Sequence, residues 1–293
     1  MITAPTPSPS VPGALPILTQ IVQLGVTYPA MTTPALKAID LTIHRGERLA
    51  LIGQSGSGKS TLARAIAGLL PKGSQISGAI NWPDGPPKPG RDFGYVFQDA
   101  SASLNPVISI GAQLIEVIRA HEPMPTKAAQ ERALELLTQV QLPQPRAALA
   151  RYPHQFSGGQ KQRCAIALAI AARPSILIAD EATSALDMLV QAEIVALIDG
   201  LVRQMGMTLI FITHDIALAA GLADHIAVLN HGQLVEQGPS RTLIAAPQQD
   251  YTRELIAAHI DLSAPILILD SDRDRDREPA AYFEQANAVP KVL

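Results

Sequence analysis

The stretch GQSGSGKST runs from Gly53 through Gln54, Ser55, Gly56, Ser57, Gly58, Lys59 and Ser60 to Thr61, and it has the spacing G-x-x-x-x-G-K-[ST]. It follows a strand-like run, ERLALIG, and opens a segment of helical periodicity from Lys59 to about Leu70. Phosphates need several hydrogen-bond donors at close range. Glycines let backbone N–H groups turn inward, and the positive end of the following helix faces the same point. In this arrangement Lys59 reaches the β- and γ-phosphates of a nucleotide and Ser60 offers a hydroxyl to Mg²⁺. Thr61 and the neighbouring amides hold the α- and β-phosphates. The plain alternative is a Gly-Ser turn before a helix, and the strand and helix on either side weigh against it.

The second feature is ILIADEATSALD, Ile176 to Asp187, an apolar run that ends in two adjacent carboxylates, Asp180 and Glu181. Paired acids at a strand end usually belong to a solvated loop. Behind a phosphate loop they read differently. The strand SILIAD is expected to lie beside the strand that carries the phosphate loop and to deliver Asp180 to the magnesium, generally through a water. Glu181 is then free to orient an attacking water.

These residues need a scaffold, and the chain supplies one. Of its 293 residues, 47% are hydrophobic and 17% charged, so most of it is expected to fold around a real core. IVQLGVTY and ALKAIDLTI read as two antiparallel strands joined by a Pro-containing turn. GAINW and FGYVFQ read as strands on either side of the polar loop PDGPPKPGR. Residues 110–172 are mostly helical in pattern. SILIAD, the helix Met188 to Met205, TLIFIT, the helix Ile216 to Ala223, HIAVLN and QLVEQG then alternate, which points to a parallel α/β core.

Residues 1–18, rich in Pro and Ser, are expected to be a disordered leader rather than an export signal. Residues 19–260 are expected to form one nucleotide-binding domain, and residues 261–293, with the mixed-charge run SDRDRDRE, an extension that is partly disordered. The formal charge of -3 weakens a nucleic-acid role. The single cysteine, Cys164, excludes an internal disulfide and a cysteine-based metal site. The longest purely apolar run, Cys164 to Ala172, is too short to span a bilayer.

Between the two chemical features lies HQFSGGQKQRCAIALAIA. Here the chain resembles the ATP-binding subunits of ABC transporters. Ser157, Gly158, Gly159 and Gln160 match that family's signature loop, with Phe156 where Leu is commonest. Physically, a Ser-Gly-Gly turn opening a helix is a second anion site. The resemblance covers roughly Ile21 to Tyr251 and implies a P-loop NTPase core: a mostly parallel sheet flanked by helices. It adds an antiparallel β subdomain and an inserted helical subdomain over about residues 105–172. It implies ATP and Mg²⁺ as ligands, and two ATPase subunits, identical or paralogous, closing head to tail so that each ATP lies between one chain's Lys59 and the other's Ser157.

Residue by residue, Tyr28 resembles the aromatic that stacks on adenine. Gln98 resembles the glutamine that touches metal and water and moves with the transporter partner. Asp187, in SALD from Ser184 to Asp187, matches the loop that crosses the dimer interface, and His214 in FITHD matches the histidine that contacts the γ-phosphate. The resemblance therefore implies catalytic roles for Lys59, Gln98, Glu181 and His214, and metal contacts for Ser60, Gln98 and Asp180. Where the family usually has Pro after the glutamate, this chain has Ala182, so a looser loop is expected there.

VFQDASASLNP and APQQDYTRELIAA are similar to segments of the dipeptide, oligopeptide and nickel importers, with Asp250 in place of a usual Pro. That group implies two membrane-spanning permease subunits, an extracytoplasmic solute-binding protein and a location at the cytoplasmic face of the cell membrane. Its C-terminal extension often carries cluster-binding cysteines, which this chain lacks. Peptide and nickel both remain open as solutes, since the histidines form no ligand cluster. An exporter ATPase, or a soluble ATPase of the same type acting on nucleic acid or ribosomes, is the alternative.

Overall fold

The computed structural model describes residues 15–88, 90–183 and 186–259, so Ser184, most of the leader and the extension of residues 261–293 lie outside the described residues. The first two strands, β1 (Ile17–Thr27) and β2 (Leu36–His44), pair antiparallel. β1 begins just ahead of the expected start because Leu18 is already buried. Next come β3 (Arg48–Ile52), the phosphate loop, and α1 (Lys59–Ile66). β4 (Gln75–Asn81) returns to pair with β1, which completes a three-stranded antiparallel sheet in the order β2-β1-β4.

β5 (Phe93–Val96) leads into the helical part: α2 (Ala100–Ser103), α3 (Ile110–His121), α4 (Thr126–Gln139), α5 (Pro145–Ala148) and α6 (Gly158–Ile170). The remaining elements are β6 (Ile176–Asp180), α7 (Met188–Met205), β7 (Thr208–Ile212), α8 (Ile216–Leu222), β8 (His225–Asn230), β9 (Gln233–Pro239), α9 (Ser240–Ala245) and α10 (Asp250–His259). The boundaries of α7 and β8 are those read from hydrophobic periodicity.

The second sheet has the order β5-β6-β7-β3-β8-β9, parallel throughout except for the antiparallel β9. This corrects one expectation. β6 does not lie beside the phosphate-loop strand β3, because β7 pairs with both and stands between them. Local pattern sets a strand's existence but not its neighbours, which depend on pairing between distant segments.

The inner strands of this sheet are largely apolar, as expected where both faces are covered, whereas the edge strand β9 is polar and partly exposed. The pleat then sorts them. Ile176, Ile178, Ile210, Ile212, Leu49 and Leu51 face a core shared with the antiparallel sheet and α1. Leu177, Ala179, Leu209 and Phe211 face the helical part. Ala50, Ile52, Ile226 and Val228 face α8, α9 and α10. Within the helical part Arg163 bonds the Val140 carbonyl at 3.0 Å and Glu193 at 2.9 Å, tying α6 to the end of α4 and to α7. Among the described residues no helix is long and apolar enough to cross a membrane.

Candidate functional site

Four adjacent parallel strands, β5, β6, β7 and β3, end at the same edge, and each is followed by residues singled out from sequence. Gln98 follows β5, two residues past the strand's end rather than within it, and is exposed. Glu181 follows β6, His214 follows β7, and the phosphate loop follows β3. The register pairs Asp180 with Ile212 and Leu51 with Ile212, and the Glu181 N–H donates to the Ile212 carbonyl at 3.1 Å. Open parallel sheets bind ligands at this carboxyl edge.

The loop from Gly53 to Gly58 must fold tightly, and two glycines show why. Gly53 has φ 144, and a Cβ there would lie 2.1 Å from the Leu229 carbonyl oxygen. Gly58 has φ 105, and its Cβ would lie 2.9 Å from the Ala35 carbonyl oxygen. No side chain can stand at either position. Gly58 also serves as the N-cap of α1 without a side-chain cap bond, which leaves the first N–H groups of that helix for an anion. The Ser57 hydroxyl is buried and has no hydrogen-bond partner among the described residues. Lys59, 4% exposed, folds its amino group onto the Gly53 and Gln54 carbonyls at 2.8 and 2.9 Å. Burial lowers the pKa of that amine, and the charges of Glu181 and Asp180 only partly offset the effect. These donors fit a polyphosphate.

The expected metal residues also meet. Ser60 Oγ donates to Asp180 Oδ1 at 2.7 Å. Asp180 reaches Ser60 past the intervening β7 because α1 packs over both β6 and β7 and carries Ser60 on its first turn. Two oxygens converging in this way suit a hard cation such as Mg²⁺. Tyr28, just past β1, is half-buried, and its hydroxyl donates to Thr61 Oγ1 at 3.1 Å.

The signature-like turn lies elsewhere. Ser157 is the N-cap of α6: its Oγ accepts from the Gln160 N–H at 3.4 Å, and Gln160 Oε1 accepts from the Ser157 N–H at 3.2 Å. This is a capping box, and the spacing S-x-x-Q was its signal in the sequence. The turn packs on the start of α7, where a Cβ on Gly159 would lie 2.7 Å from Val190 Cγ1 and one on Gly158 would meet Leu186. Asp187 caps α7 by accepting from the Val190 N–H at 3.0 Å. The signature-like loop and the Asp187 loop thus form one surface.

Glu181 has φ 47, in the left-handed region rather than the extended conformation a following proline favours. Ala182 and Thr183, just after Glu181, are buried, and the next two residues of that loop lie outside the described residues. Two residues escaped the sequence reading. Tyr95 donates its hydroxyl to Asp180 Oδ2 at 2.8 Å, and the Arg64 guanidinium on α1 stands near both Tyr95 and Tyr28. Strand parity in FGYVFQ could have flagged Tyr95, but its partner is set by the β5–β6 pairing.

A phosphate loop after β3, a carboxylate at the end of β6 and a parallel sheet between helical layers define the class of P-loop nucleotide-binding proteins. The profile of one family, described as ABC transporter, matches residues 36–184, and the chain belongs to that family. The oligopeptide transport ATP-binding protein OppD of Bacillus subtilis is 40% identical over 236 residues, covering 76% of this chain and 66% of its own length. The peptidoglycan transport ATP-binding protein YejF of Agrobacterium fabrum is 40% identical over 82% of this chain and 48% of its own length. The glutathione import ATP-binding protein GsiA of Escherichia coli K12 is 40% identical over 78% of this chain and 40% of its own length. The chain thus spans less than two thirds of each of these relatives.

Two solved structures share the fold. CbiO1 from Clostridium perfringens, part of the ABC transporter complex cbiONQ, superposes with a TM-score of 0.68 at 28% identity, over 79% of this chain and 92% of its own. The dimeric ATP-binding cassette MJ0796, in a post-hydrolysis state bound to ADP and Pi, gives 0.67 at 28% identity, over 76% and 99%.

Proposed function

We propose that the chain is the ATP-hydrolysing subunit of an importer of peptide-type solutes. It pairs head to tail with a second ATPase subunit on the cytoplasmic face of the cell membrane, beneath two permease subunits served by an extracytoplasmic solute-binding protein. The observation that carries this reading is the meeting of Lys59, Ser60, Asp180 and Glu181 at one edge of the parallel sheet. The relatives' names, for transport or import of oligopeptides, peptidoglycan and glutathione, favour peptides over nickel.

In this reading Tyr28 stacks on adenine, and the amides from Gly53 to Thr61 cradle the phosphates. Lys59 leaves its two carbonyl partners for the β- and γ-phosphates. Ser60, Asp180 and Gln98 would hold the Mg²⁺, which when bound neutralises charge developing on the phosphates. Glu181 orients the attacking water and accepts its proton, and His214 on the neighbouring strand end contacts the γ-phosphate. Ser157, Gly158, Gly159, Gln160 and Asp187 serve the partner's nucleotide. Met188 and Leu189, 86% and 82% exposed beside Asp187, suit a surface that is covered on closure.

The test is to co-express the chain with candidate permease subunits and a solute-binding protein, and to purify the complex into lipid. ATP turnover is then measured with added di- and oligopeptides or Ni²⁺ chelates in the presence of the binding protein. Peptides are expected to stimulate turnover, and Lys59→Ala to abolish it. Stimulation by nickel alone, or no association with a membrane subunit, would sink the reading.

A further inference from the structure

We propose that Tyr95 is the positioning residue for the metal-binding carboxylate: through its hydroxyl on Asp180 Oδ2, oriented by Arg64, it holds Asp180 Oδ1 in place for Mg²⁺. The inference rests on the nucleotide-site reading above and adds to it a part that the phosphate loop does not contain. Asp180 is a buried carboxylate, 4% exposed, with one hydroxyl on each oxygen: Ser60 on Oδ1 at 2.7 Å and Tyr95 on Oδ2 at 2.8 Å. If Ser60 turns to the metal, Tyr95 is the donor that stays on the carboxylate.

The geometry of Tyr95 is set from three sides. Its strand is locked to β6 with Tyr95 opposite Ile178, so the long phenol reaches diagonally to Asp180 two residues on. The Phe97 ring lies over it, 4.3 Å between centroids at 31°. The Arg64 guanidinium stands beside the same phenol and near Tyr28. An ionised carboxylate can only accept, so the single Tyr95 proton goes to Asp180, and the neighbouring guanidinium faces the phenol oxygen's acceptor side. Polar groups therefore run from Thr61 and Tyr28, hydrogen-bonded to each other, past the Arg64 guanidinium to the bonded series Tyr95, Asp180 and Ser60. They join the adenine side of the site to the metal side through α1. Partners of this kind orient metal ligands and tune affinity although they do not touch the ion.

The experiment measures binding of a fluorescent ATP analogue with EDTA and again with Mg²⁺, for wild type, Tyr95→Phe and Arg64→Gln. The ratio of the two affinities is the coupling between metal and nucleotide. Tyr95→Phe is expected to cut that ratio by about tenfold or more while leaving the metal-free affinity unchanged. Arg64→Gln, which keeps the phenol but frees its orientation, is expected to cut it by less. An unchanged ratio in folded Tyr95→Phe, with or without a lowered melting temperature, overturns the inference and leaves a purely structural tyrosine. If Tyr95→Phe does not fold, Arg64→Gln decides on the same ratio. A wild-type chain that binds no nucleotide overturns the nucleotide-site reading, and this inference with it.

Discussion

Ser60 donates its hydroxyl to Asp180 Oδ1 at 2.7 Å, which joins the first turn of α1 to the end of β6 across the strand between them. The bond stands where two oxygens would share a cation. Ser60→Ala removes one of them and should lower ATP turnover at limiting Mg²⁺ by about 10- to 100-fold. Raising Mg²⁺ should recover part of the loss, as a steady-state titration of the metal would reveal. Turnover that is unaffected at low Mg²⁺ would remove Ser60 from the metal site.

Glu181 sits next to Asp180 but in a left-handed conformation, with φ 47, an arrangement that costs about 1–3 kcal/mol and is retained mainly at working sites. Glu181→Gln keeps the size of the side chain and loses the base. It should bind ATP normally, slow hydrolysis by about 10²- to 10⁴-fold, and accumulate ATP-dependent dimers on gel filtration. Hydrolysis at the native rate would remove Glu181 from the proposed role.

Ser157 has two jobs in this reading, as a helix cap and as a partner for the other subunit's nucleotide. Ser157→Ala should cost about 1 kcal/mol of stability from the lost cap. Ser157→Asp should restore the cap, and with it the melting temperature, while placing a negative charge where the γ-phosphate is proposed to sit. ATPase activity should therefore stay low in both. Recovery of activity in Ser157→Asp would mean that the residue acts only as a cap.

Asp224 ties β8 to β3 through Arg48, whose Nη2 lies 2.5 Å from Asp224 Oδ1. Burial alone would raise the Asp224 carboxyl, but hydrogen bonds from the Arg48 side chain and backbone, together with the Arg48 charge, outweigh it and hold the carboxyl below its ordinary 3.8. The folded state therefore binds this proton less readily than the unfolded chain. The stability it contributes is complete above 3.8 and is lost as pH falls through the lower folded value. Asp224→Asn should lower stability at neutral pH and flatten the acid loss below the ordinary carboxyl value of 3.8, as measured by denaturant unfolding at several pH values. An acid slope identical to wild type would show that the pair does not contribute.

Cys164 is fully buried on α6, and burial, opposed only weakly by Arg151, pushes its thiol up to about 12. It should not react with a thiol reagent at pH 8 until the chain is unfolded. Rapid labelling of the native protein would show that the helical part opens.

Much of the site was legible in the sequence because its parts are local. The phosphate loop is one uninterrupted strand, turn and helix, so Gly53 through Thr61 name their own geometry. Ser157 and Gln160 sit three residues apart and close their box within a single turn of chain. The alternating apolar strands also declared themselves, since a strand covered on both faces has to be apolar throughout. The surroundings of Ala182 were not legible, for the converse reason. Whether Ala182 leaves the chain loose depends on what packs against it, and it is buried in the core of the helical part.

The sequence by itself determined which residues carry the chemistry and which short elements hold them. Only the tertiary structure decided that β7 separates β6 from β3, that Asp180 nonetheless meets Ser60, and that Tyr95 and Arg64 belong to the same run of polar groups. The physical reason is range. A turn or a cap is set by neighbours a few residues away, whereas strand order and the contacts that cross it are settled by long-range pairing and burial between segments that the local pattern cannot connect.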